Sequence, residues 1–220
     1  MKYKFLLLLL LTVSLLANVL MEENSIGQLL HNDEWQLVRQ FEDGVRLYEK
    51  SLNTDQLKAY RVETETTIAK EILLQAFENV EAYETVLKSA GNITFDTIET
   101  DEKIITAYQH IEIPLLNDRH YTYKMVKNDG LRDYSYWQLI EMNDRLKSML
   151  FQKHRFAMNA VPLNNGAGVY RVIETNESNI VQYSLYLDPA GNIPGFLANA
   201  ANKNGLVNMF RDLLQHSENN

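Results

Sequence analysis

Cysteine is missing from all 220 residues. That excludes disulfides, zinc–thiolate sites and cysteine nucleophiles together. Basic clusters are missing too: 21 Lys and Arg stand against 29 Asp and Glu, a net charge of −8. A nucleic-acid backbone or a permanent seat on anionic lipid headgroups is therefore a poor match. There is no GxGxxG or P-loop for a nucleotide, no GxSxG elbow for a serine nucleophile, and no HExxH. The five histidines, His31, His110, His120, His154 and His216, contain no i, i+4 pair, so they offer no metal-ligand pattern. Glu99, Asp101 and Glu102 crowd into a predicted hairpin, where a solvated turn accounts for them. No catalytic residue, metal or cofactor is expected.

What the chain does have begins with a leader. Lys2 and Lys4 precede a Leu-rich run from Phe5 to Ala17, long enough for a signal-peptide core and short of a membrane span. Leu15 is a poor residue three positions before a cleavage site after Ala17. Residues 1–21 are therefore expected to be either a signal peptide, giving a periplasmic or secreted protein, or an uncleaved N-terminal anchor. No cysteine follows the run, which excludes a bacterial lipoprotein anchor. Residues 22–217 are expected to form one domain.

The pattern after the leader is a short helix over Glu22–His31, then strands at Trp35–Gln40, Val45–Ser51 and Leu57–Ile68. Asp43-Gly44 marks a hairpin between the first two. Apolar spacing turns helical over Ala69–Ser89, in one or two helices. Strands return at Thr94–Glu99, Lys103–Ile113, Arg119–Lys127, Tyr134–Met142, Lys153–Leu163, Gly168–Thr175 and Ile180–Leu187, with turn signals between them. Gly166-Ala167-Gly168 reads as a turn between strands. Asp188-Pro189-Ala190-Gly191-Asn192-Ile193-Pro194 then opens a last helix, Pro194–Leu214, with an apolar stripe that includes Phe196 and Phe210. Strand runs with segregated helices mean an α+β fold with an antiparallel sheet. Such a sheet curls through its own twist, and the final helix can fill its concave side.

Three segments, in this order, resemble the lipid-transfer START domain. They are Trp35–Arg39 with Asp43–Tyr48, Tyr108–Pro114 leading into Asp118–Tyr121, and the junction Asp188–Pro194 with its final helix. The resemblance covers residues 35 to 215. It implies a helix-grip fold, in which a curved sheet closed by the C-terminal helix encloses an apolar cavity. It also implies a lipid or other apolar small molecule as partner, transient membrane contact and a monomer.

Within that frame Arg119, Tyr121, Tyr123 and Met125 share one strand face and are candidate cavity residues. Trp137, Phe156, Met158, Tyr183, Phe196 and Phe210 join them. Tyr108, His110 and Glu112 are the candidate polar contacts. On the family pattern Arg119 precedes an Asp; here His120 replaces it, which leaves the partner of Arg119 open, with Asp118 one candidate. Met125 stands where relatives carry a polar residue, implying a less polar cavity. Two rivals remain: an enzyme on the same scaffold, cyclase- or hydrolase-like, using Tyr108, His110 and Glu112, and a partner-binding domain with no ligand.

Overall fold

A computed structural model describes residues 25–52, 58–90, 92–113, 116–154, 159–191, 193 and 195–219. The expected leader lies outside them. The first described element is a short helix, α1, at 25–30. Strands β1 (Gln36–Gln40), β2 (Arg46–Ser51) and β3 (Lys58–Thr66) follow as an antiparallel meander. Gly44, at φ +83°, supplies the left-handed residue that the Asp43-Gly44 turn requires.

The segment after β3 breaks into helix α2 (Lys70–Glu78), a 3-10 turn at Val80–Ala82 and helix α3 (Tyr83–Val86). It carries the chain to the far edge of the sheet. There β4 (Ile93–Thr100) starts a second meander through β5 (Ile104–Ile111), β6 (Arg119–Val126), β7 (Tyr134–Ile140), β9 (Gly166–Glu174) and β10 (Asn179–Leu187). A two-residue strand, β8 (Val161–Pro162), pairs with β6 in parallel. The meander ends where β10 pairs with β3, with Tyr183 opposite Val62. The order across the ten-stranded sheet is therefore β1-β2-β3-β10-β9-β7-β6-β5-β4.

Period two sorts the side chains to two faces. The inner face carries Tyr60, Val62, Phe95, Tyr121, Tyr123, Met125, Trp137, Tyr170 and Tyr183, all in the main core cluster. Helix α2 lies on β7 and β9, and α5 (Gly195–Glu218) packs against α2, α3, β3 and β10. Leu206, Val207, Phe210 and Leu213 of α5 are buried, the helical spacing the sequence stripe anticipates.

The outer face has two smaller clusters. Ile26 and Leu29 of α1 pack with Ala59, Ala167, Val169 and Tyr186. Arg61 fastens α1 there, donating to Leu29 O at 2.6 Å and Ser184 Oγ at 2.8 Å. At the other end, Leu150 covers Tyr108 and Met142. Leu150 belongs to a helix, α4 (Asp144–Lys153), so the expectation of a strand from Lys153 is corrected. The Asn143 side chain caps α4, accepting from Leu146 N at 2.9 Å. Of the described residues in the expected strand Lys153–Leu163, only Val161–Pro162 of β8 are extended.

Candidate functional site

A cavity of about 610 Å³ lies between the inner face of the sheet and α5. Its walls come from alternate residues of successive strands: Ile93 and Phe95 on β4, Gln109 and Ile111 on β5, and Arg119, Tyr121, Tyr123 and Met125 on β6. Trp137 of β7 and Tyr183, Leu185 and Leu187 of β10 complete the sheet side, with Leu206 and Met209 of α5 opposite. Exposed lining residues mark the mouth. Ala201, Gly205 and Asn208, one stripe of α5, face Ser89, Asn92, Glu112 and Leu116 across it.

The aromatic wall is tightly keyed. Trp137 stacks on Tyr121 with ring centroids 6.4 Å apart and meets Tyr123 edge-on at 5.9 Å. Its indole Nε1 donates to the Tyr183 hydroxyl at 2.9 Å. Room for the indole depends on Gly168, its cross-strand neighbour: a Cβ there would stand 2.4 Å from Nε1. Gly166 similarly admits Leu187, whose Cδ1 would lie 2.6 Å from a Cβ. Both glycines belong to β9 and serve close packing, which corrects their reading as a turn.

Of the expected site residues, Glu112, Arg119, Tyr121, Tyr123, Met125, Trp137 and Tyr183 line the cavity. Phe210 is fully buried in the core beside it without lining it. Phe156 and Met158 lie outside the described residues, as does the side chain of Phe196. Tyr108 and His110 are corrected outright: they stand on the outer face, because Gln109 and Ile111 take the inner positions of β5. Tyr108 Oη lies 3.4 Å from His120 Nδ1, and its ring stacks on His154 at 5.4 Å. His110 Nε2 lies 3.2 Å from Asp118 Oδ2. Behind them Asp96 meets Lys153 at 2.7 Å and His154 at 3.1 Å. Burial pushes the Asp96 carboxyl up, yet those two partners outweigh it and hold it below its ordinary range. Burial, with the His110 charge beside it, holds the His120 imidazole below its ordinary value.

Arg119 does not pair with the candidate Asp118. Its side chain runs along the inner face and donates to Pro189 O at 3.0 Å, Ala190 O at 3.5 Å and the carbonyl of Asn117. Asp118, one residue away, points to the opposite face and serves His110 instead. Arg119 therefore ties the end of β6 to the loop that launches α5. In that loop Ala190 and Gly191 both adopt positive φ, +52° and +69°.

Sequence reasoning missed Gln109, Ile93, Phe95, Leu187 and Met209. The strand residues were legible as alternating apolar positions, but which face turns inward was not. Among the described residues no group of three or more His, Asp or Glu side chains could hold a metal ion. No described helix is long and apolar enough to cross a membrane.

No protein-family sequence model matches the chain, and no curated protein matches it in sequence. Solved structures do match. A STAR-related lipid transfer protein from Xanthomonas axonopodis is 14% identical, with a TM-score of 0.64 over 84% of this chain and 99% of that one. Human StAR-related lipid transfer protein 5 is 11% identical, with a TM-score of 0.65 over 94% and 97%. The Zhui aromatase/cyclase of a Streptomyces species is 10% identical, with a TM-score of 0.52 over 74% and 94%. Lipid-transfer proteins and a cyclase thus share this scaffold, so the scaffold alone does not choose between them. With its curved antiparallel sheet gripped by α5, the chain has the START helix-grip fold.

Proposed function

We propose that this protein binds a lipid or similar apolar small molecule in the cavity under α5 and carries it. The observation that supports this reading is the cavity itself. It is of ligand size, walled by aromatic and aliphatic side chains, and among the described residues Glu112 and Arg119 are its only charged lining residues. Glu112 is exposed at the mouth, and Arg119 is committed to backbone carbonyls. The cyclase-like alternative needs an acid or base inside, and the cluster nominated for it is split: Tyr108 and His110 face the other side of the sheet.

Exchange requires α5 to move. Its second half is pinned by buried Leu206, Val207, Phe210 and Leu213, and by Arg211 on Asp43 at 2.7 Å. Among the described side chains of its first half, at the mouth, Asn202 bonds Leu187 O at 2.9 Å and Lys203 meets Glu49 at 3.0 Å. The half before Gly205 is the gate in this reading, and the Arg119-bound loop is its hinge. Leu116, 49% exposed beside the mouth, suits brief contact with a membrane. Export through the N-terminal leader, and action as a monomer, complete the proposal.

Native mass spectrometry of the purified protein, followed by organic extraction, tests it directly. A near-stoichiometric apolar species is expected; a clean apoprotein that also takes up no fluorescent lipid would overturn it. A disulfide engineered between α5 and β3 should block exchange while leaving the fold intact. Sequencing the N-terminus of the exported protein tests the leader.

A further inference from the structure

Three phenols stand in the cavity wall with protons to give. Tyr121, Tyr123 and Tyr183 are 5%, 3% and 2% exposed, and all three line the cavity. Among the described residues, neither the Tyr121 nor the Tyr123 hydroxyl bonds to any protein atom. The Tyr183 oxygen accepts the Trp137 Nε1 proton, which uses a lone pair and leaves its own O–H free to donate. Tyr83 lines the same wall and gives the contrast: its hydroxyl donates to Phe77 O. Gln109, directly across the ladder from Tyr121, adds a carboxamide with no protein partner among the described residues.

Donors that open onto an apolar cavity are satisfied by what enters it, and leaving them unpaired is costly. A cavity that keeps several together is built for a ligand that brings the acceptor. Burial also pushes the three phenols well above their ordinary range, so they remain donors at any physiological pH.

We propose that the cavity selects apolar molecules carrying an oxygen acceptor, such as a ketone, ester or alcohol, which accepts hydrogen bonds from the Tyr121 and Tyr123 hydroxyls. This rests on the carrier reading above and names its ligand class. Hydrocarbons without an acceptor would leave the phenols unpaired.

The test uses diphenylhexatriene, a hydrocarbon fluorophore with no acceptor, loaded into the full protein. It is then displaced by 2-tridecanone, methyl laurate or tridecane. The ketone and ester should displace it at roughly five- to tenfold lower concentration than tridecane, one net hydrogen bond's worth. Tyr121→Phe and Tyr123→Phe should bring the ketone-to-tridecane ratio toward one, with diphenylhexatriene bound at least as tightly because no phenol is left unpaired against it. Each substitution removes a hydroxyl with no protein partner among the described residues, so both variants should fold as well as the parent. Equal potency of ketone and alkane, or a ratio that survives both substitutions, overturns the acceptor proposal alone. Failure to take up diphenylhexatriene or any competitor overturns the carrier reading and this proposal with it.

Discussion

Trp137 is held by what it touches and by what its neighbour lacks. Gly168→Ala would drive a methyl group into the indole, whose Nε1, Cε2 and Cζ2 all lie under 3 Å from the new atom. The ring would be forced off Tyr183 and into the cavity. The expected cost is about 1–3 kcal/mol of overpacking, read as a lower denaturation midpoint, with weaker ligand uptake. His120 makes a second prediction. Its buried imidazole is held below the ordinary value, so the unfolded chain binds the proton more readily than the folded one. Stability is then full above the unfolded pKa, near 6.5, and is lost as pH falls through that value. The loss is at most about 1.4 kcal/mol per pH unit for one proton. Thermal melts from pH 7.5 to 5 should show that slope, and His120→Gln should flatten it. These residues also mark where sequence reading stopped. On β5 both faces are largely buried, with Ala107, Tyr108 and His110 all enclosed. Alternation there carries no sign of which face looks inward, and Tyr108 and His110 fall on the wrong one.

Elements were more legible than faces wherever one side of an element meets solvent or a loop has a turn signature. The Asp43-Gly44 hairpin, the β4–β7 meander and the closing helix all form where the pattern places them. Helix α4 was missed because Leu150 is its one buried side chain. A helix resting on the outer face of the sheet by so little has no broad stripe to show, and its Asn143 cap was the only local signal. Helix α5 yields a prediction of its own. Gly205 has nothing within 4 Å of a would-be Cβ, so Gly205→Ala should fit without strain. It should raise stability by up to about 1 kcal/mol. If the first half of α5 is the gate, the same substitution should slow ligand exchange between vesicles without changing the amount bound, which a transfer assay measures.

At the scale of the molecule, a cavity of about 610 Å³ in a single sheet-and-helix core makes stability depend on what fills it. A ligand at a hundred times its Kd adds about 2.7 kcal/mol. For a protein of this length that is roughly 5–10 °C in Tm. Delipidated protein should melt lower by that amount and recover on reloading; identical Tm values with and without apolar ligand would contradict carriage.

The seam between β3 and β10 has a consequence in time as well as space. Glu63 and Gln182, bonded across it at 2.6 Å, are 119 positions apart. Contacts that distant form slowly, because a long loop must close before they contribute. During synthesis the first three strands therefore wait with an open hydrogen-bonding edge until β10 leaves the ribosome. An unpaired edge of that kind invites association with other chains. A chain stopped before residue 179 should consequently be recovered as aggregate or bound to chaperones rather than as a smaller folded domain.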